Sequence, residues 1–554
     1  DVVSWNALIS GYAQGGHSAE ALNCFDQMRG EGLYPSSVTY ICVLKACASI
    51  REIERGEIIH AEIVREGFLQ KHVSIGNALV DMYAKCGAIL KAQEVFNELE
   101  LRNIVSWNAL ITGYANHGYG EEALKCFERM QRDGFSANKV TFLSILKACG
   151  SIGIVEKGKE VHDEIVRERL LEKDPLVGTA LVDMYAKCGM LSQAQEVLEE
   201  LPVRDVITWN TLVVGYSQYG QCHEALDCFE CMQSEGLIPD VVTLIGILKA
   251  CGGIGAVDKG KQIHEEIVNR GLLERNVMLG NALVDMYAKC GSFAKAQQMF
   301  EELPVRNVVS WNTLISGYVQ HEQGHEALHC FTCMQKEGFV PDEVTFTCIL
   351  KACGSIGAID KGTKIHDEIV SNGLAMENVM LGNALVGMYA TCGAFSEAQK
   401  AFDELSLRDV ITWNAFISGY LQHSKCKQVF DCFEHMQIEG ISPNAVTFIC
   451  TLKACANIGA IDTGKRIHHE VMSNGFLAKH VAVSSALVDM YAQCGALSIA
   501  YQLLKDELQV SDSISWNALI SAYVKHGQGG KALSCFKQMQ TQGIHPDTIT
   551  FACV

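Results

Sequence analysis

Apolar residues recur along this chain at three- and four-residue steps, in short runs that Gly, Pro or Asn then interrupts. That spacing predicts amphipathic helices with defined stops. Residues 206–307 show the scheme. VITWNTLVVGYSQ and HEALDCFECMQSEG form a first predicted pair, ending at Pro239-Asp240. VTLIGILKACGGIG and AVDKGKQIHEEIVNRG form a second, VMLGNALVDMYAKCG and SFAKAQQMFEELPVRN a third. The three hairpins are 35, 36 and 31 residues long, 102 together. The same phrases return along the whole chain: Trp5, Trp107, Trp209, Trp311 and Trp413 lie 102 residues apart, and Trp516 comes one residue late. No single hairpin can bury its apolar face alone, so the chain is expected to be all-α, an α-solenoid of stacked helical hairpins.

Each first helix also carries a polar stripe. Its fifth residue and those four and eight further on share a face, as in Asn281, Asp285 and Lys289. Such a stripe is either solvated surface or a ligand-reading face. The fifth residue is always Asn, Thr or Ser in first and third hairpins. In second hairpins it is Ile41, Leu143, Ile245 and Ile449, with Thr347 the exception. Solvation would not choose so narrowly, because Asn and Thr are middling helix formers; short amides and hydroxyls suit hydrogen bonding to a base edge. The apolar neighbours Val3, Val105, Ile207, Val309, Ile411 and Ile514 are placed to pack on base faces. Lys85, Lys187, Lys289 and Lys525, two turns beyond the fifth residue, are candidate phosphate contacts, as are Lys45, Lys147, Lys249, Lys351 and Lys453 one turn beyond it.

Composition adjusts this picture modestly. The 554 residues are 48% apolar and 20% charged, a packed rather than a disordered chain. No run reaches the roughly 18 apolar residues of a membrane span, so no membrane partner is expected. The net charge of −19 argues mildly against a polyanion, although faces separated by more than the Debye length of about 8–10 Å act independently. Sixteen of the 24 cysteines follow the period and read as small buried packing residues. The chain opens inside the pattern at Asp1 and stops partway through a hairpin at Val554, so it is expected to be a fragment with any targeting segment upstream.

The mean hairpin length of 34 matches the tetratricopeptide repeat, a protein-interaction scaffold, and that reading is the alternative. Three distinct phrases in fixed long–long–short order fit it poorly. Phrases such as VSIGNALVDMYAKCG at 73–87 and VTFLSILKAC at 140–149 resemble instead the pentatricopeptide repeat family, in its subclass of alternating P, L and S motifs. The resemblance covers the chain: P motifs 2–36, 104–138, 206–240, 308–342, 410–444 and 513–547; L motifs 37–72, 139–174, 241–276, 343–378 and 445–480; S motifs 73–103, 175–205, 277–307, 379–409 and 481–512; and a partial L motif 548–554. It implies a right-handed superhelix that binds single-stranded RNA, with the fifth and last residues of a motif jointly selecting one base.

Carried onto this chain, Asn6 with Ser36 implies C. Asn77 with Asn103, Asn108 with Asn138, Asn281 with Asn307, and Asn414 with Asn444 each imply a pyrimidine. Thr179 with Asp205 implies G; Asn210 with Asp240, Asn312 with Asp342, Asn383 with Asp409, and Asn517 with Asp547 imply U. Ser485 with Asp512 resembles a weaker G pair, and Thr347 with Asn378 an A pair. The target is expected to be pyrimidine-rich. The resemblance further implies a mitochondrial or chloroplast protein that guides RNA processing such as C-to-U editing, with other editing factors as partners and no cofactor or small-molecule substrate. Two departures stand out: Ala137 replaces the Pro of other copies, which predicts a less constrained loop, and an extra residue falls near Gln509–Ser511.

Zinc deaminases carry H-x-E followed by P-C-x-x-C. His60-Ala61-Glu62, His162-Asp163-Glu164, His264-Glu265-Glu266 and His366-Asp367-Glu368 imitate the first part, and Cys228/Cys231 and Cys330/Cys333 the second. The histidines hold one helix position of successive second hairpins, and the cysteine pairs lie on another helix without the preceding Pro. No metal site, catalytic residue or cofactor is therefore expected here; a deaminase domain would have to follow Val554.

Overall fold

The computed structural model describes residues 1–374, 378–405, 407–507 and 513–554, which form helices and turns without a strand. The chain divides into two units, Asp1–Leu272 and Leu273–Val554, each a run of stacked helix pairs. The first copy of the period sets the scheme: α1 (Val2–Gln14) pairs with α2 (Ser18–Gly30), α3 (Ser37–Ile50) with α4 (Ile53–Arg65), and α6 (Val73–Lys85) with α7 (Ile89–Glu98). A one-turn helix, α5 (Phe68–Lys71), closes the second hairpin. First helices lie side by side, α1 on α3 and α3 on α6, while each second helix packs against its partner and the next hairpin.

The helix starts follow from local chemistry. The last residue of nearly every hairpin is the N-cap of the next first helix: Ser36, Asn138, Asp240, Asp342 and Asn444 each accept from the backbone N–H three residues on. The Ser or Thr at that third position returns a bond to the cap backbone, closing a capping box. Each cap contributes about 0.5–2 kcal/mol.

Between hairpins the repeated residues interlock. Trp107 is fully buried edge-on to Phe96, 4.6 Å between ring centroids, and Trp311 and Trp413 repeat this on Phe300 and Phe402. Arg102, Arg204 and Arg408 fold back on the carbonyls that end the preceding helix, satisfying acceptors a helix terminus otherwise leaves open. Cys47, Cys149, Cys353 and Cys455 are wholly buried, and the next hairpin's Cys86, Cys188, Cys392 and Cys494 donate Sγ–H to their carbonyls at 3.7–3.9 Å. Burial pushes the Cys47 and Cys149 thiols up to about 12, as expected of packing residues rather than nucleophiles.

Three details differ from the expectations. The extra turn of the second hairpin is a helix of its own, with Phe68 edge-on to Tyr40 at 5.5 Å and Phe476 to Phe448 at 5.2 Å. Ala137 takes the buried place of Pro35 and Pro239, and Asn138 still caps its helix, so the missing proline costs no local geometry. The helix Leu497–Gln502 runs on as a π turn at Leu503–Glu507, which takes up one additional residue. The expected insertion site, Gln509–Ser511, lies outside the described residues.

Among the described residues four non-glycine residues have positive φ: Arg51, Arg169, Glu322 and Ser424, at 54–59°. Most other copies hold Gly at the matching places, among them Gly153, Gly67, Gly118 and Gly220. The left-handed region costs an L side chain about 1 kcal/mol or more. Arg51→Gly and Ser424→Gly are therefore each expected to stabilise the chain by up to about 1 kcal/mol, read as a higher denaturation midpoint. A drop in midpoint for both would show that these side chains contribute more than their backbone strain costs.

Candidate functional site

The fifth residues do not lie on a solvated stripe. Asn77, Asn108, Asn210, Asn281, Asn312, Asn383, Asn414 and Asn517 are all less than a tenth exposed, wedged where one first helix meets the start of the next. A buried amide needs partners, and the last residue of its own hairpin, which caps the next first helix, supplies one. The Nδ2 of Asn108 donates to Asn138 Oδ1 (3.0 Å), Asn312 to Asp342 (2.9 Å) and Asn414 to Asn444 (3.0 Å). Asn210 reaches both oxygens of Asp240 (2.9 and 3.0 Å), and Asn517 both of Asp547 (3.0 Å). Asn6 donates to Ser36 (2.9 Å), Asn77 to Asn103 (3.2 Å) and Asn383 to Asp409 (3.1 Å).

The other end of each amide meets a side chain that sequence reasoning passed over, the Ser or Thr three places beyond the cap. Thr141, Thr345, Thr447 and Thr550 donate to the Oδ1 of Asn108, Asn312, Asn414 and Asn517 at 2.6–2.8 Å. Thr39, Ser106, Thr243 and Thr412 do the same for Asn6, Asn77, Asn210 and Asn383. The available signal was the recurrence of Ser or Thr at this place after every first and third hairpin.

Three pairs depart from the scheme. Thr179 is half-buried and meets Asp205 through Thr208, whose hydroxyl lies 2.9 Å from that of Thr179 and donates to Asp205 at 2.7 Å. Asn281 keeps a buried Oδ1 without a partner, while Ser310 turns to Asn307 (3.1 Å). Ser485 receives the Ser515 hydroxyl at 2.9 Å, and its expected partner Asp512 lies outside the described residues. In the second hairpins Thr347 donates to the Glu343 carbonyl in its own helix (2.7 Å), and Asn378 caps the next one.

The carboxylates of Asp240, Asp342 and Asp409 are held ionised. Burial works to raise the Asp342 carboxyl, but hydrogen bonds from the Thr345 N–H, the Asn312 amide, the Thr345 hydroxyl and the Val344 N–H outweigh it and set it below the usual 3.8. Asp240 and Asp409 are lowered in the same way.

Beside one such pair lies a cavity of about 380 Å³, lined by Asn210, Asp240, Ile207, Val242, Asp183 and Lys187. Its apolar walls are second residues of successive hairpins, and this position is exposed throughout, from Val3 (74%) to Ile549 (60%). A second cavity, about 610 Å³, lies on first helices nearer the N-terminus and takes in Asp81, Lys85, Lys147, Thr112 and Asn116. The lysines form no simple cationic track. Lys85, Lys187 and Lys289 pair with Asp81, Asp183 and Asp285 one turn earlier at 2.6–2.8 Å. Among the described residues Lys45, Lys249, Lys351, Lys453 and Lys525 form no ion pair. Exposed pairs of this kind are worth about 0–1 kcal/mol.

The deaminase-like fragments resolve into packing. His60 and His162 place Nδ1 at 2.9 and 3.0 Å from the hydroxyls of Tyr83 and Tyr185 in the next hairpin, as do His366 and His468 with Tyr389 and Tyr491 at 3.0 Å. Burial holds His60 and His162 below the usual imidazole value, so they stay neutral. Among the described residues no three potential ligands converge on a metal position.

Comparison with known proteins agrees with this architecture. The PPR repeat family pattern matches residues 1–49, 102–151, 204–253, 306–355, 408–457 and 511–554, and the PPR repeat matches 77–104, 179–206, 281–308 and 344–374. Pentatricopeptide repeat-containing protein At2g39620 of Arabidopsis thaliana is 32% identical over the whole chain, which covers 65% of that protein. The mitochondrial At3g09040 is 35% identical, again over the whole chain and 53% of the relative. The chain thus spans about half to two thirds of these relatives; for the mitochondrial At2g03380, 32% identical, it covers 79%. Among solved structures, the pentatricopeptide repeat protein PPR10 from maize shares the fold, with a TM-score of 0.58 at 19% identity over 100% of this chain and 81% of that one. A second structure of PPR10, TM-score 0.53, covering 100% of this chain and 82% of that one at 19% identity, holds an 18-nt psaJ RNA element.

The lowered carboxyls set a pH dependence. A carboxyl whose folded value lies below its unfolded value contributes stability above the unfolded value, and loses it as pH falls through the folded one. Asp342 is expected to stabilise the stack fully above about pH 4 and progressively less below 3.8. Asp342→Asn keeps a capping side chain but removes the titration, so its stability is expected to fall less steeply than the parent's between neutral pH and pH 3, followed by denaturant titrations. Parallel losses in the two proteins would show that Asp342 does not drive acid sensitivity.

Proposed function

The chain belongs to the pentatricopeptide repeat family, and from that premise we propose that it is a sequence-specific single-stranded RNA-binding protein, reading about one base with each first and third hairpin. The observation that carries the proposal is the edge left over at each Asn pair. Asn210 engages the Asp240 carboxylate through Nδ2 and Thr243 through Oδ1, leaving a second amide hydrogen beside a carboxylate. A donor next to an acceptor complements uracil, whose N3–H lies beside a carbonyl. In Asn108/Asn138 the last side chain is an amide whose oxygen already serves the helix cap. It turns N–H outward, which cytosine N3 accepts. Thr179, shorter than Asn, leaves room for a purine, and the second Asp205 oxygen suits the N–H groups of guanine.

The exposed second residues, such as Ile207 and Val242 on either side of one cavity, give each base two apolar walls. Phosphates are taken by the unpaired lysines and, by exchange, by Lys85, Lys187 and Lys289. With the N-terminal end at the RNA 5′ side, the target reads C-n-Y-Y-n-G-U-n-Y-U-n-U-Y-n-G-U, where Y is a pyrimidine and n an unread base. The second G rests on Ser485 and Asp512. Relatives named mitochondrial or chloroplastic support an organellar site of action, and RNA processing such as C-to-U editing, with other editing factors as partners, is the role proposed for the whole protein.

In binding assays with this RNA, log K is expected to fall linearly with log salt as counterions are released; no binding at low salt would favour a protein-scaffold role instead. Thr179→Asn recreates the Asn–Asp pair of Asn210/Asp240 and is expected to move preference at its position from G to U by about 1–3 kcal/mol. Other positions should keep theirs. Equal weakening on every RNA would assign Thr179 to the fold.

A further inference from the structure

A first-hairpin amide has two ends, and its own hairpin holds only one: Asn108 Nδ2 donates to Asn138 Oδ1 at 3.0 Å. The hold on the other end comes from the next hairpin. At Asn108 the Thr141 hydroxyl oxygen accepts the backbone N–H of the cap Asn138 (3.1 Å), which turns its single hydrogen toward the amide oxygens nearby. Asn108 Oδ1 is the nearer at 2.7 Å, with Asn138 Oδ1 at 3.2 Å. Thr447 repeats the arrangement, 2.8 Å to Asn414 and 3.1 Å to Asn444. Both acceptor and donor are buried, so a reversed amide would set N–H against O–H without solvent to separate them. The threonine therefore fixes the donor edge outward.

We propose that this buried Ser or Thr, the third residue of the following hairpin, is a positioning residue for base selection, so that each pair reads its base only with a third side chain from its neighbour. This rests on the base-reading role proposed above. The residue choice along the chain supports it. In first and third hairpins, where the fifth residue is Asn, Thr or Ser, the third residue of the next hairpin is Ser or Thr at each described junction within a unit. Where it is apolar, as at Ile41, Leu143 and Ile449, the partner is Ile75, Val177 and Val483, each fully buried. Asp174 and Asn378 cap their helices with no hydroxyl at this place, so capping alone does not require one and the alternation follows the fifth residue. Thr347 faces Leu381 in this register and turns to its own helix instead. Among the described residues Asn281, whose Oδ1 has no partner, is the one buried Asn not held this way, and its pair is expected to discriminate least.

The test uses the whole chain and RNAs carrying each of the four bases at the position read by Asn108/Asn138. Thr141→Val is expected to reduce the pyrimidine-over-purine ratio of affinities at that position at least about fivefold. Ratios elsewhere and the salt dependence should not change. Thr141→Ser, which keeps the hydroxyl, should restore it. Thr141→Ala removes the same hydroxyl without a second branched methyl, and stands in if the valine variant does not fold. A cap with no role in reading would lower the melting temperature while leaving the ratio intact, and that result overturns the proposal. Asn138→Asp separates the two claims: it should shift preference to U. If it does, and Thr141→Val and Thr141→Ala leave the ratio unchanged, only the positioning role fails; if it does not, base reading by this pair fails and the positioning role with it.

Discussion

A carboxamide placed where water is scarce must find hydrogen-bond partners, and the stacking of this chain is organised around that requirement. Asn108, Asn210, Asn312, Asn414 and Asn517 each bridge from one first helix to the cap and hydroxyl of the next. The interaction starts a helix, joins two hairpins and orients a polar edge at the same time. Leaving such a group unpaired costs about 1–3 kcal/mol, so each contact between hairpins tolerates little slippage. The apolar interlock of Trp and Cys supplies adhesion; the amide supplies register.

Much of this was legible before any coordinates. The period of 102, the helix pairs and the packing roles of Cys47 or His60 follow from recurrence and spacing, because a residue that returns at one helical position in every copy is answering one structural demand. The burial of the asparagines was not legible. A polar residue on an apolar helix reads as a surface stripe until the adjacent helix is placed, and placement depends on the stacking of hairpins some 30 residues apart. The ion pairs of Lys85, Lys187 and Lys289 were legible but passed over: Asp81, Asp183 and Asp285 stand one turn earlier, and that spacing alone predicts them. The helix Phe68–Lys71 escaped because one extra turn leaves the apolar period almost untouched; the extra residue of the fifth third-hairpin was legible as a count near Gln509–Ser511, but the π turn at Leu503–Glu507 was not.

The electrostatic balance also becomes intelligible. An overall charge of −19 sits poorly with a polyanion ligand, yet the first helices carry Lys45, Lys147, Lys249, Lys351 and Lys453 at one recurring place, and much of the acid lies on second helices such as Leu191–Glu200 and Cys222–Ser234. What a ligand meets is the local face, within a Debye length.

The three-part contact between neighbouring hairpins bears on how such a chain can be rearranged in heredity. A recombination event that exchanges one hairpin at its helix boundaries parts Asn108 from Thr141, and joins each to a stranger that happens to be polar or apolar. Duplication of a whole 102-residue block, wherever it is cut, keeps every Asn with a hydroxyl and every Ile with an aliphatic partner. Lengthening by complete blocks is therefore the change these interfaces tolerate best, and the near-identical spacing of five tryptophans is the imprint such growth leaves.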